Sequence, residues 1–260
     1  MKLTFQDIWW KVKKNFYGHI FLYIDGFFVS LRLFFRSEIT TQEIIDRNSA
    51  NTFGNPYRNQ VEFNDETARA SDKYSEEHVE LIINGMKLNK DVKIVDVGCR
   101  NGKFLEMLYK RGYSNLCGVE VVPEWVQFAH SVGRHYVKQG EITEYNLSEK
   151  ADLIYCRHTL EHLVKPQKTL ETFNSWAENG GYIILIFPLT RIRTNKHLAF
   201  IPSMKYFEKL ISQFNWQTIV FDYTDNIDTS KIFGKFFQLT PYCENEITYI
   251  GKKHEKSHLR

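Results

Sequence analysis

Cysteine is scarce in this chain and forms no pattern. Cys99, Cys117, Cys156 and Cys243 are spread over 260 residues with no C-x-x-C pair. That spacing excludes a zinc site built on paired cysteines. Three of the four fall in or beside predicted buried strands, so they read as small core residues of a reducing compartment. Charge of one sign is lacking too. Lys and Arg number 34 against 31 Asp and Glu, a net +3. A general nucleic-acid binder carries a concentrated basic face, so no nucleic-acid partner is expected. Repeats and low-complexity segments do not occur. No small-residue cleavage site follows the apolar stretch near the N-terminus, so no cleavable leader is expected, and the expected location is cytoplasmic. The dinucleotide fingerprint G-x-G-x-x-G is also missing.

The chain does have an ordinary globular composition, 43% hydrophobic and 25% charged. Its length suits one large α/β domain or one domain plus an extension. Residues 1–70 read as an amphipathic helical extension and loop, and residues 71–260 as the main domain. Phe16–Phe35 is strongly apolar, but His19, Asp25 and Arg32 interrupt it. A central Asp costs roughly 2.5–3.5 kcal/mol on insertion scales, which argues against a span. On a helical wheel Lys11, Gly18, Asp25 and Arg32 share one line, and Phe16, Ile20, Phe27, Leu31 and Phe34 oppose them. The apolar face needs a cover of lipid or protein. Lys13, Lys14 and Arg36 would suit a membrane surface. The large, closely spaced aromatics with Gly18 and Gly26 favour the protein's own core or a second subunit.

From Lys93 onward strands and helices alternate. "KIVDVG", "LCGVEV", a short strand around Val137, "ADLIYCRH" and "GYIILIFP" read as strands. "GKFLEMLYKRG", "PEWVQFAHSVG", "KPQKTLETFNSWA" and "SMKYFEKLISQF" read as helices, with Pro123 in a first turn and Gly112 and Gly133 as stops. This order predicts an α/β, Rossmann-like doubly wound sheet that binds ligands at the carboxyl ends of its strands. The final strands, "WQTIVFDYT" and "EITYIGKK", have no helix between them. They predict an antiparallel pair with the last strand inserted into the sheet.

"VDVGCRNGKF" (Val95–Phe104) joins the first strand to its helix. Asp96 ends the strand, Gly98 makes the turn and Gly102 opens the helix. Glu120 closes the second strand about twenty residues on, where an acid can bind both hydroxyls of a ribose. A glycine turn alone is weak evidence, but strand, turn, helix, strand and acid in order form a nucleoside-binding half.

"KIVDVGCRNGKFLEMLYKRGYSNLCGVEVVPEWVQFA" resembles the first half of class I S-adenosylmethionine-dependent methyltransferases. "ADLIYCRHTLEHLVKPQKTLETFNSWAENGGYIILIFP" resembles their fourth and fifth strands, and Leu160-Glu161-His162 looks like the "LEH" of many small-molecule members. The likeness covers roughly residues 71–254. It implies S-adenosylmethionine as cofactor. Asp96, Gly98 and Gly102 would border its methionine part, Glu120 its ribose and Val121 its adenine. Glu141 would lie near the adenine amine, and Cys156 and Arg157 near the sulfonium. The family's commonest loop is G-x-G-x-G, and here Arg100 takes the middle place. A pyrophosphate requires glycine there, whereas a cationic ligand without phosphate tolerates a side chain. Arg100 is expected to face solvent, and Asn101 to take any left-handed turn.

The acceptor of such a reaction is expected to be a small molecule or glycan, methylated on oxygen. His158 and His197 are the candidate bases, since a neutral imidazole suits proton removal near pH 7. Arg191, Arg193, Lys196 and His197 lie in one loop and point to an anionic acceptor. "HTLEH" (His158–His162) also matches the inverted zinc-protease pattern H-x-x-E-H. It follows a sheet strand rather than lying on a helix, so no metal is expected. Ubiquinone-pathway O-methyltransferases carry an acid-rich version of this segment that can hold a metal, and His158 replaces its first acid. An NAD enzyme, a fold-retaining scaffold without turnover, and a protein or nucleic-acid methyltransferase are the alternatives. The last lacks the Asn/Asp-Pro-Pro-aromatic signature of amino-methylation, since Cys156-Arg157-His158-Thr159 stands in its place.

Overall fold

A computed structural model of the chain describes residues 76, 78–190, 199, 201–225 and 245–254. The expected amphipathic helix at 1–36, the loop holding His197, and Cys243 lie outside them. Strands β1 (Ile94–Val97), β2 (Leu116–Glu120), β3 (Val137–Gln139), β4 (Ala151–Arg157), β5 (Ala177–Pro188), β6 (Trp216–Asp225) and β7 (Asn245–Lys253) form one sheet. Its order is β3-β2-β1-β4-β5-β7-β6. The first five strands pair in parallel. β7 runs antiparallel between β5 and β6, as expected from two final strand patterns with no helical pattern between them.

The central strands are apolar without strict alternation because both faces are covered. All four residues of β1 and all five of β2 are buried. On one face Ile94, Leu153, Tyr155 and Ile184 pack with Phe104, Leu105 and Leu108 of helix α1 (Lys103–Lys110). Helix α2 (Pro123–Ser131) has Pro123 in its first turn, where the missing N–H costs nothing, and buries Val126 and Ala129 against Val137. On the other face Ile154, Cys156, Leu185 and Phe187 meet Leu170 and Phe173 of α3 (Pro166–Trp176) and Phe207 of α4 (Met204–Ile211). The side chain of Ser203 caps α4 by accepting from Tyr206 N at 3.2 Å. Residues 78–85 are helical and end in a π turn, Leu81–Gly85.

β5 begins earlier than "GYIILIFP" suggests. Ala177 already pairs with Ala151, and an irregularity follows before Leu153 meets Tyr182. Gly180, at φ 79°, lies in the extra stretch. A left-handed glycine lets a strand absorb added residues, so a Glu-Asn-Gly-Gly run that reads as a turn is carried within the strand.

Candidate active site

The β1–α1 turn is shaped by its own hydrogen bonds. Gly98 (φ 70°), Arg100 (φ 49°) and Gly102 (φ 73°) are all left-handed. This corrects the expectation for Asn101: Arg100 takes the turn. Glu120 explains the choice, because its Oε2 accepts from Arg100 N at 2.8 Å and its Oε1 from Val122 N at 2.9 Å. Most other amides of the turn are spent as well. Gly98 N donates to Val119 O at 2.8 Å, Gly102 N to Cys99 O at 2.9 Å and Lys103 N to Asn101 Oδ1 at 3.2 Å. These amides are not offered to a phosphate, unlike those of a dinucleotide loop.

Arg100 is exposed, and a non-glycine residue in this region costs about 1–2 kcal/mol. Arg100→Gly removes that strain and adds freedom to the unfolded chain. The net change in stability is expected to stay within about 1 kcal/mol. S-adenosylhomocysteine affinity, measured by calorimetry, should move by less than about 1 kcal/mol. A larger loss would place the guanidinium on the ligand.

Two acids lie beneath the turn. Asp96 is 4% exposed and Glu120 5%. Burial, then repulsion from Glu120, pushes the Asp96 carboxyl up to about 8. Burial also raises Glu120, against the opposing pull of its backbone donors. Glu141, just past β3, is buried and turns its carboxylate onto its own loop, accepting from Thr143 N and Thr143 Oγ1, both at 2.7 Å. Val121 follows β2 and is half-buried.

The turn is also held from behind. Arg134, between α2 and β3, donates through one guanidinium nitrogen to Asn101 O at 3.2 Å and through the other to Glu106 Oε2 at 2.6 Å. Tyr136 Oη donates to Gly102 O at 3.4 Å. A Cβ on Gly102 would stand 2.5 Å from Val137 Cγ2, so the corner packs directly on the turn. Lys110, Lys103 and Arg134 draw the Glu106 carboxyl down to about 2 against its partial burial. A depressed carboxyl contributes stability that is present above its ordinary pKa, near 4.5, and is lost as pH falls toward 2. Arg134→Met is expected to lower stability by about 2 kcal/mol through lost charged hydrogen bonds. The penalty should shrink in acid as Glu106 gains a proton. Chemical denaturation at pH 7 and pH 3 checks both, and equal penalties would show that the Glu106 pair contributes nothing.

The carboxyl end of β4 carries a second polar group. Cys156 is buried, and burial raises its thiol well above the usual range, so it is an inert core residue. Thr159 Oγ1 donates within 3.1 Å of Val97 O and 3.2 Å of Arg157 O, tying the end of β4 to the end of β1. His158 is left-handed, at φ 48°. Its Nδ1 lies 3.2 Å from Glu161 Oε1 and its Nε2 2.9 Å from Glu246 Oε2. Burial would lower its pKa, but the two carboxylates outweigh that and raise it to about 9. The expected neutral imidazole is therefore an imidazolium at pH 7. His78 behaves oppositely. Burial and the charge of Arg157 lower it to about 4, and its Nδ1 sits 2.7 Å from Tyr155 Oη. Among the described residues no group of three or more His, Cys, Asp or Glu is placed to hold a metal.

Sequence reasoning missed Thr159, Arg134, His78 and Glu246. Only Glu246 had a usable signal. An antiparallel last strand inserted beside β5 starts next to the carboxyl ends of β4 and β5, so its first acid enters the site. The described residues on either side of the basic segment lie there too. Thr190 and Ile201 exchange backbone hydrogen bonds at 3.0 and 3.1 Å, and Ala199 N donates to Glu161 O at 3.0 Å.

Comparison with known proteins shows the family and the fold. A family model described as a methyltransferase domain matches residues 43–229. The chain is 26% identical over 133 residues to a tRNA U34 carboxymethyltransferase of Campylobacter hominis, covering 44% of this chain and 46% of that protein. It is 27% identical over 124 residues to a ubiquinone biosynthesis O-methyltransferase of Colwellia psychrerythraea, covering 43% and 49%. The chain thus spans about half the length of these curated relatives. Among solved structures, magnesium protoporphyrin IX methyltransferase from Synechocystis PCC 6803 with bound SAM superposes with a TM-score of 0.57 at 16% identity. That match covers 84% of this chain and 99% of the other.

Proposed function

The chain belongs to the methyltransferase domain family that matches residues 43–229, and from that premise we propose that it is an S-adenosylmethionine-dependent methyltransferase acting on an oxygen of a small, anionic acceptor or glycan. One observation carries the cofactor part. Asp96 and Glu120 are buried acids at the ends of β1 and β2, under a turn in which Gly98, Cys99, Arg100, Gly102 and Lys103 donate their amides within the protein. Such a site repels a pyrophosphate and suits a ligand carrying an ammonium and a sulfonium. A cation bound there would favour the ionised acids and offset the desolvation that raises them.

When bound, S-adenosylmethionine supplies an electrophilic methyl group. The chain's own residues hold and orient it. In this reading Asp96, Gly98 and Gly102 border the methionine part, Glu120 takes the ribose hydroxyls, Val121 the adenine face and Glu141 the region of the adenine amine. Cys156 closes the floor at the end of β4. The anionic acceptor is supported by Arg191, Arg193, Lys196 and His197. Thr190 and Ile201, which flank it in sequence, bond to each other, and Ala199 N donates to Glu161 O. His197 remains a candidate base by its place in the sequence, alongside His158.

Likeness to a tRNA-modifying relative gives the second reading, an RNA acceptor. The mild net charge of +3 speaks for the small acceptor. A cytoplasmic site of action fits this chemistry. Among the described residues no helix is long and apolar enough to cross a membrane, and residues 1–36 would meet a second subunit or a membrane surface. The test is a panel of alcohols, carboxylic acids, phosphorylated metabolites, nucleotide sugars and tRNA incubated with methyl-labelled donor. Label in a small anionic product supports the reading, and label only in tRNA replaces it. Binding of NAD without binding of S-adenosylhomocysteine would sink the cofactor assignment.

A further inference from the structure

Resting on that methyltransferase reading, we infer that Glu161 and His158 form a proton-accepting dyad and that Glu246 is its gate, occupying the ring nitrogen that must face the acceptor. The geometry has the parts of a carboxylate–imidazole base. Glu161 is 1% exposed and bonds to Nδ1, which holds the ring and fixes its tautomer. Glu161 is itself held in the short helical turn Leu160–His162, and its carbonyl accepts from Ala199 N. Its Oε2 has no hydrogen-bond partner among the described residues, so its charge is directed to His158 and to His162, whose Nε2 lies 3.9 Å from Oε1. Nε2 of His158 points the other way, toward Glu246 on β7. The His158 side chain is 39% exposed, whereas Glu161 is buried, so an acceptor would reach the ring rather than Glu161.

His158 also sits in left-handed backbone at φ 48°. Strain of this kind, about 1–3 kcal/mol per residue, persists where surrounding contacts enforce it. Here His158 N donates to Ile186 O at 2.8 Å, and the two carboxylates clamp the ring.

While Glu246 is in place, both ring nitrogens carry protons and His158 cannot accept another. An acceptor hydroxyl that displaces Glu246 from Nε2 removes one of the two carboxylates that keep the ring charged. The ring then loses a proton to solvent and becomes a base facing the hydroxyl. In the transfer step the acceptor's O–H proton passes to Nε2 while its oxygen bonds to the methyl carbon. The bond from that carbon to sulfur breaks with its electron pair left on sulfur, as a neutral thioether. Base formation is thereby tied to occupancy of the acceptor site. The groups that set the titration are Glu161 and Glu246, which raise it, and Arg157 on β4, which lowers it. His78 also faces the cluster and is neutral at pH 7.

The experiment follows the labelled imidazole of His158 by NMR in the full chain. Wild type should titrate near 9. Glu246→Gln should drop by more than one pH unit, which exposes at least ten times more neutral imidazole at pH 7. Diethyl pyrocarbonate, which attacks neutral imidazole, should modify His158 at least tenfold faster in that variant. With an acceptor from the panel, the wild-type kcat/KM profile should rise near pH 9 and its kcat profile at lower pH, because only the complex has lost the Glu246 contact. In Glu246→Gln the two limbs should coincide, and His158→Gln should remove both. Titration of wild-type His158 near 6.5, no shift in Glu246→Gln, or equal rates with His158→Gln would each overturn the gate. S-adenosylhomocysteine binding in the same samples separates the failures. Its absence sinks the methyltransferase reading, whereas binding with an ordinary His158 sinks only the dyad.

Discussion

Glu120→Ala is expected to weaken S-adenosylhomocysteine binding by about 3 kcal/mol, roughly a hundredfold. Two losses add in this figure. In the proposed site the carboxylate accepts the ribose hydroxyls, and charged hydrogen bonds contribute about 1.5–3 kcal/mol. The carboxylate also holds Arg100 N and Val122 N. Without it, the left-handed Arg100 has nothing to enforce its backbone, and the loop relaxes away from the binding geometry. Glu120→Gln separates the parts. Its amide oxygen can accept one of the two backbone protons, while its NH2 must face the other donor. The glutamine variant should therefore lie between wild type and alanine. Calorimetry on folded variants reads all three, and an unchanged affinity for Glu120→Ala would move the ribose site elsewhere.

Much of this arrangement was readable from residue order because it depends on short-range signals. Gly98 and Gly102 flank a strand-to-helix turn, and Glu120 ends the next strand. Those positions follow from hydrophobic runs and glycine punctuation alone. The inserted β7 followed from two strand patterns with no helical pattern between them in the sequence. What was not readable depends on contacts between distant segments. Asn101 has the better intrinsic tolerance for a left-handed backbone, yet Arg100 takes it because the Glu120 carboxylate from another strand binds its amide. Tertiary contact overrides local preference there. His158 was singled out by residue type and place, but its charge state was not, because one of the two carboxylates on its ring is Glu246 on the last strand. Arg134 follows a helix-ending glycine and reads as an ordinary surface cation. Only the packing of the α2–β3 corner onto Asn101 and Gly102 reveals its task.

Gly98→Ala is expected to cost about 3 kcal/mol of folding stability, from two separable sources. The first is backbone strain. Gly98 sits at φ 70°, where a Cβ costs about 1–2 kcal/mol. The second is collision. A Cβ built there overlaps Thr159 Oγ1, stands 2.8 Å from its Cγ2 and 3.0 Å from its Cβ. Rotation of the threonine cannot relieve all three, and Oγ1 is held by Val97 O and Arg157 O. Overpacking of this kind costs about 1–3 kcal/mol. For a domain of this size each kcal/mol moves the melting midpoint by about 2–4 °C, so the fall should be about 6–12 °C. A second substitution divides the total. Thr159→Gly removes every colliding atom, so in the Thr159→Gly background Gly98→Ala should cost only the strain, about 1–2 kcal/mol. The difference between the two backgrounds measures how tightly the end of β4 closes on the β1 turn. If Gly98→Ala costs the same in both, Thr159 does not press on the turn, and the contact between the β1–α1 turn and the end of β4 is looser than the geometry requires.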